Sequence, residues 1–211
     1  QTKDTFSYLW NKQTLFDKKD FNNNQIRWLK SLYNFDQKFL KKITKNKDVL
    51  DAGCGAGQTS YLLFNKMLNE SKYIGLDVSE SVYVAKDIFK KKKIYGNFVQ
   101  CSLLDIPKSV YFDTIISQGV LHHTDSTSKS IAKLSKHLKK GGYFLFYVYK
   151  KKSAMREFSD DYIRNYLKDC ESKKAWELLK PLTKLGKQLG ELNIDLNIKD
   201  DIKVLGIPKG K

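Results

Sequence analysis

The residues best suited to chemistry lie in one short stretch, Val49-Leu50-Asp51-Ala52-Gly53-Cys54-Gly55-Ala56-Gly57-Gln58-Thr59. An apolar run ends on Asp51 and Ala52 and passes into three alternating glycines before a helical segment begins. Glycine lets the backbone turn tightly and lets a ligand approach without meeting a Cβ. Free N–H groups at a helix start favour an anionic group there. Asp77 follows Gly57 by 20 residues, at the end of the next apolar run. A carboxylate at that place can accept both hydroxyl protons of a ribose. The dinucleotide fingerprint needs a further glycine at position 58, where Gln58 stands. These residues point to a nucleoside ligand and disfavour a nicotinamide oxidoreductase. The blander readings are a strand–helix turn with glycines for packing, and an Asp77 that only caps the helix beyond it.

Further stretches follow in order. They are Phe98-Val99-Gln100-Cys101-Ser102-Leu103-Leu104-Asp105-Ile106-Pro107, then Phe112-Asp113-Thr114-Ile115-Ile116-Ser117-Gln118-Gly119-Val120-Leu121-His122-His123, then Leu138-Lys139-Lys140-Gly141-Gly142-Tyr143. With the glycine turn and Asp77, residues 45–150 resemble the class I S-adenosylmethionine-dependent methyltransferases. The resemblance implies S-adenosyl-L-methionine as cofactor and S-adenosyl-L-homocysteine as product. It implies cofactor binding by Asp51, Gly53, Gly55, Gly57, Gln58, Asp77, Val78, Ser102, Leu103, Ser117 and Gln118. In it, Asp51 to Gly57 hold the methionine end, Asp77 the ribose, and Ser102-Leu103 the adenine. The family usually carries an acid and a small residue at that last place. A serine hydroxyl there makes a weaker contact than a charged group.

Methyl transfer from a sulfonium is an in-line displacement with an already activated donor, so the protein chiefly supplies alignment and a dry pocket. A base helps when the acceptor is a hydroxyl or a weakly acidic carbon. His122 is the candidate catalytic base, with His123 behind it. The alternative is that the pair packs the pocket wall. Tyr8 and Trp10 fit a lid whose aromatic faces stabilise a sulfonium, or a staple onto the core. Arg27 is either a partner for the cofactor carboxylate or a surface residue. Arg156 to Arg164 would line the acceptor pocket by fold analogy alone. Cys54 reads as a small packing residue and His137 as a surface residue among lysines.

These residues need a frame that brings them to one edge. Strands are expected at Asp48–Ala52, Tyr73–Asp77, Asn97–Cys101, Phe112–Ser117 and Tyr143–Tyr149, the last long and buried. Helices are expected over Gln25–Thr44 after an Asn22-Asn23-Asn24 turn, over Thr59–Leu68, over Ser79–Lys92 behind a Ser79 cap, and over Ser126–Lys140 with Gly141-Gly142 as its stop. This alternation predicts an α/β protein, a three-layer α/β/α sandwich around a Rossmann-like, mostly parallel sheet. Residues 1–44 form an N-terminal lid and helix, 45–150 the cofactor-binding core, and 151–211 a helical C-terminal segment. That segment carries helices at Ser159–Glu171 and at Lys173–Leu189, the second interrupted at Pro181. A weak strand is expected at Val204–Ile207. The family sheet usually has seven strands, so the tail is expected to be truncated before its closing strands or rearranged.

Composition bounds the partners. The chain has 211 residues, 41% hydrophobic and 29% charged, enough for one sizeable core. Its formal charge is +16, yet only Arg27, Arg156 and Arg164 are arginines among 39 basic residues. Recognition of phosphate favours the planar fork of arginine, so a lysine surplus reads as solvated surface more readily than as a nucleic-acid patch. A small-molecule acceptor is therefore favoured. The alternatives are RNA or another macromolecule, and a non-catalytic nucleotide-binding module of the same fold. Three scattered cysteines show no metal spacing and fit a reducing cytoplasm. No apolar run approaches the roughly 20 residues of a membrane span.

Overall fold

The computed structural model describes residues 5–8, 19–33, 36–150, 154–193 and 199–202. The chain divides into two compact units, Gln1–Tyr149 and Lys150–Lys211. The elements of the first, in order, are α1 (Lys19–Tyr33), α2 (Gln37–Thr44), β1 (Asp48–Ala52), α3 (Gln58–Phe64), β2 (Lys72–Asp77), α4 (Ser81–Lys92), β3 (Asn97–Gln100), β4 (Phe112–Gln118), α5 (Thr127–Ser135) and β5 (Leu138–Tyr147). Residues 5–8 are also helical, and short 3₁₀ turns lie at Asn65–Glu70 and Leu121–His123. The strands form one sheet in the order β3-β2-β1-β4-β5, and every pair is parallel. The order reverses between β1 and β4, and this opens a crevice at the carboxyl ends of the strands.

Alternation along the strands builds two cores. Val49, Tyr73 and Ile116 point to one face, where Leu29, Leu40, Ile43, Leu63, Phe64 and Phe89 cover them from α1 to α4. Leu50, Ala52, Leu76 and Ile115 point to the other, where they meet Leu103, Ile106, Leu121 and Leu134. Successive side chains of a strand face opposite ways, so both faces of the central strands are buried and three layers result. The β3–β4 connection, residues 101–111, contains no helix. Leu103 and Ile106 cover that face in its place.

Several expected boundaries move, each for a local reason. The long first helix is two: Asp36 caps α2 by accepting from Lys38 N–H (2.8 Å). The Asn22-Asn23-Asn24 turn is instead inside α1, because Leu29 is buried against the core and α1 packs on α3. Tertiary packing outweighs the weak helix propensity of asparagine. α4 begins at Ser81, since Ser79 turns its hydroxyl to Asp77.

Ser126 does cap α5, but the helix ends at Ser135. His137 stops it: its carbonyl accepts from Phe112 N–H (2.8 Å) and its Nδ1 pairs with the Val110 carbonyl (2.9 Å). His137 is thus buried, not a surface residue. Gly141-Gly142 lie within β5 as a bulge, where the pairing jumps from Phe112↔Leu138 to Thr114↔Tyr143. Gly141 has φ +76°, and a Cβ on Gly142 would stand 2.8 Å from the Asp113 carbonyl oxygen. β5 is half-buried rather than buried, because it has one neighbour among the described strands.

In the second unit, α6 (Ala154–Leu167) and α7 (Ser172–Glu191) are helical, and α7 runs through Pro181 without a break. Arg156 pairs with Asp160 and Arg164 with Asp161, both within α6. The expected strand at Val204–Ile207 and the expected lid residue Trp10 lie outside the described residues. Among the described residues, no helix is long and apolar enough to cross a membrane and no cluster of metal-binding side chains occurs.

Candidate functional site

A cleft of about 680 Å³ opens at the carboxyl ends of the strands. The glycine turn forms its floor. Gly53 and Cys54 both donate their N–H to the Leu76 carbonyl (2.7 and 2.9 Å), so the loop is laced to β2. Gly53, Gly55 and Gly57 all have positive φ, at +88°, +52° and +74°. At Gly53 a Cβ would fall inside the Val120 side chain, and at Gly57 it would meet Phe89. Both glycines therefore serve close packing as well as the turn. The Gly55 N–H is taken by Asp77 and the Gly57 N–H by the Cys54 carbonyl. The N–H groups of the three glycines are thus all engaged within the protein.

Asp77 is held in place from two sides. Its Oδ2 accepts from Gly55 N–H (2.9 Å), and its Oδ1 accepts from the Ser79 N–H (2.9 Å) and hydroxyl (2.6 Å). A carboxylate has about four acceptor directions. One on Oδ2 is left for a ligand, and gripping two hydroxyls requires Gly55 or Ser79 to let go.

Asp51 is buried beneath the turn. The Ser60 hydroxyl (2.6 Å) and the Tyr73 hydroxyl (2.9 Å) both donate to its Oδ2. Burial pushes its carboxyl up to about 6, against the two hydrogen bonds that favour the anion; nearby Asp77 adds to the rise. Burial likewise raises the Cys54 thiol, with Asp51 and Asp77 adding to it. Cys54 is therefore an inert packing residue rather than a nucleophile.

Of the expected site residues, Asp51, Gly53, Gly55, Gln58, Asp77, Val78, Ser102, Leu103 and Gln118 all line this cleft. Three do not. Gly57 lies behind the turn, against Phe89. Ser117 is fully buried and donates its hydroxyl to the Ala52 carbonyl (2.8 Å), tying β4 to β1. His122 stands outside the lining, and His123 takes its place there. Gln58 donates to the Asn22 side chain (2.9 Å), which fixes α1 over the turn. Ser102 Oγ accepts from Leu104 N–H (3.1 Å) within its own turn.

His122 is stacked on Tyr149 with ring centroids 3.9 Å apart. Its Nδ1 accepts from the Tyr149 N–H (3.4 Å), so the hydrogen of the neutral ring sits on Nε2. That Nε2 is buried with no hydrogen-bond partner among the described residues. Burial, with His123 beside it, lowers the His122 pKa to about 4. In this arrangement the ring turns no free lone pair to the cleft, as a base would need.

Sequence reasoning missed the other wall. Phe6, Gln25, Trp28, Leu104, Val120, Thr124, Asp125 and Tyr149 also line the cleft. Of these, Tyr149 carries a signal, since it ends the expected strand Tyr143–Tyr149, two residues past the end of β5, at the same sheet edge as Gln118. Tyr8 and Arg27 lie outside the lining, and Arg27 is exposed. A larger depression, about 1140 Å³, lies at the opposite edge of the sheet and is lined by Lys72, Lys90, Lys93, Tyr95 and Tyr111. It shares no residue with the glycine turn or Asp77.

A doubly wound parallel sheet with a glycine turn after its first strand and an acid after its second defines a nucleoside-binding domain of the Rossmann kind. The chain belongs to the family described as "Methyltransferase domain", whose model matches residues 43–193, and this part of it is a class I S-adenosylmethionine-dependent methyltransferase domain. Among curated proteins, it is similar to tRNA U34 carboxymethyltransferases. It is 34% identical over 106 residues to that of Hydrogenovibrio crunogenus and 29% identical over 105 residues to that of Alteromonas mediterranea. Each match covers 46% of this chain and 31% of the relative, so the chain spans about a third of the length of these relatives. Among solved structures, coclaurine N-methyltransferase bound to N-methylheliamine and S-adenosylhomocysteine is similar at a TM-score of 0.48 and 13% identity. That match covers 60% of this chain and 35% of the other.

Proposed function

We propose that this chain transfers the methyl group of S-adenosyl-L-methionine to a small-molecule acceptor. The observation that carries the reading is Asp77: its carboxylate is pinned against the glycine turn by Gly55 N–H and keeps one acceptor direction for a sugar hydroxyl. Other features of the cleft fit the same nucleoside. Its volume lies within the roughly 300–1,000 Å³ of small-molecule sites. Ser102 and Leu103 suit an adenine edge, beside the apolar Leu76 and Val78. Both donors to Asp51 converge on Oδ2, leaving Oδ1 without a donor among the described residues and able to accept from an ammonium. No lysine or arginine is among the described residues that line the cleft, which suits a cationic donor.

Bound there, S-adenosylmethionine supplies a methyl on a sulfonium, and its transfer leaves the electron pair on sulfur. The chain's own work is to hold, orient and keep dry. Asp77 and Asp51 fix the nucleoside and the amino-acid end, and Gln118 and Val120 border the space beyond. His122 acts through Tyr149 as a positioning residue, since its only free ring nitrogen carries hydrogen. The acceptor proton passes to water after the positive charge has moved to the acceptor.

Calorimetry with S-adenosylhomocysteine tests this. Removing a charge-assisted contact costs about 1.5–3 kcal/mol, so Asp77→Ala is expected to weaken binding by roughly 10- to 100-fold. Unchanged affinity in a folded Asp77→Ala protein would overturn the reading. An RNA acceptor is the second reading, favoured by the names of the curated relatives and by the +16 charge. It requires transfer to RNA and an affinity that falls steeply with salt.

A further inference from the structure

The cleft has two chemically different halves, divided where the strand order reverses. The β1–β3 half holds the glycine turn, Asp51, Asp77 and Ser102. The β4–β5 half, with the N-terminal helices, is walled by rings. Phe6 meets His123 edge-on (5.2 Å), His123 meets His122 (4.1 Å), His122 stacks on Tyr149 (3.9 Å), Tyr149 meets Tyr147 (5.8 Å), and Tyr147 meets Trp28 edge-on (5.2 Å). These six residues form a continuous belt contributed by four separate parts of the chain. Phe6, Trp28, His123 and Tyr149 line the cleft, while His122 and Tyr147 back them.

We propose that this ring belt is the acceptor subsite and that it takes a flat aromatic molecule without negative charge. The inference rests on the methyltransferase reading above and adds the class of the acceptor. One face of Tyr149 is covered by His122, yet Tyr149 is 57% exposed, so its other face is the open one. Trp28, 38% exposed, closes the far end of the belt. Rings held by edge contacts with their neighbours keep their orientation, and a planar guest gains by offset stacking or edge contact with them. Gln25, Gln118 and Thr124 lie among the rings and can bond a ring heteroatom or hydroxyl.

Charge narrows the class further. Lys and Arg number 39 in the chain, yet none is among the described residues lining the cleft, whereas Asp51, Asp77 and Asp125 are. Among the described lining residues, a carboxylate or phosphate in this half finds no cation and would sit against negative ring faces. A saturated cation is the remaining rival, since ring faces also attract ammonium groups.

Ligand-observed NMR titration separates these cases with three probes of one skeleton: indole, octahydroindole and indole-3-acetate. The protein is first saturated with S-adenosylhomocysteine, whose binding is read independently by calorimetry. Indole is expected to bind at least tenfold more tightly than either octahydroindole or indole-3-acetate. Trp28→Leu and Tyr149→Leu, both at partly exposed positions, are each expected to weaken indole about tenfold while S-adenosylhomocysteine affinity stays within twofold. Equal binding of the saturated or the anionic probe would overturn the proposal, and so would indole binding that neither variant alters. If S-adenosylhomocysteine itself fails to bind, the methyltransferase reading fails separately. The belt is formed by the chain alone, so the three probes are then titrated against the free protein with the same criteria.

Discussion

Asp51, which is buried, and His122, which is half-buried, are titratable groups with opposite consequences for stability. The Asp51 carboxyl is raised in the fold from 3.8 to about 6. Its stabilising contribution is complete below pH 3.8 and is lost as pH rises through 6, on the order of 3 kcal/mol in all. Asp51→Asn keeps an acceptor for Ser60 and Tyr73 and carries no charge. The variant is expected to melt several degrees above the parent at pH 8, with the gap closing near pH 4; scanning calorimetry at both pH values checks it. It should also bind S-adenosylhomocysteine more weakly at pH 8, and in the parent the affinity should fall as pH drops below 6 and Asp51 protonates. The His122 imidazole is lowered from 6.5 to about 4. Its contribution is present above pH 6.5 and is lost as pH falls through 4. The ring protons of His122, followed by NMR, are expected to titrate near pH 4. A midpoint near 6.5 would mean that the ring is not enclosed between Tyr149 and the core.

At the scale of elements, the strands were legible and the junctions were not. A short apolar run ending on glycines sets β1 at Asp48–Ala52, and the structure has the same bounds. In the sequence Gly141-Gly142 look like a helix terminus, yet α5 stops at Ser135. Their reason is a contact remote in sequence: the bulge of β5 passes close to the Asp113 carbonyl oxygen. Asp113 also accepts from Asp48 N–H and pairs with Lys139, so the bulge joins the starts of β1, β4 and β5. Burial raises the Asp113 pKa, but the Lys139 ammonium and the Asp48 N–H outweigh it and leave the net shift downward. Gly142→Ala is therefore expected to cost about 1–3 kcal/mol, since backbone must move to admit the methyl. Gly141→Ala, where the space is open but φ is positive, should cost about 1 kcal/mol. Urea unfolding midpoints at constant m-value measure both. The reverse order of the two effects would mean that the bulge is not set by Asp113.

Across the whole molecule, legibility followed contiguity. The β1–β3 half of the cleft comes from two short motifs, Gly53–Gly57 and Asp77, whose residue types stand out in the sequence. The ring belt comes from Phe6, Trp28, the His122-His123 pair, and Tyr147 with Tyr149. Each of these also reads as ordinary core, and only the sheet order brings them together. Ser117 stands at the expected place on β4, but its hydroxyl is engaged by the Ala52 carbonyl of the neighbouring strand, a contact remote in sequence. The net charge of +16 is likewise a property of the whole chain, and none of the described residues lining the cleft is a lysine or arginine. RNA is accordingly expected to bind with an affinity that collapses between about 50 and 200 mM salt, without displacing S-adenosylhomocysteine. Competition between the two at constant salt would place RNA in the cleft.

A nucleoside held by the glycine turn and Asp77 at the carboxyl edge of the sheet would be visible in a crystal structure with S-adenosylhomocysteine bound. The sugar hydroxyls are expected on Asp77, the amino-acid end over Gly53–Gly55, and the adenine beside Ser102 and Leu103. A ligand found instead among Lys72, Lys90 and Tyr95 at the opposite edge, or with Asp77 still closed on Gly55 and Ser79 and no sugar beside it, would contradict this placement.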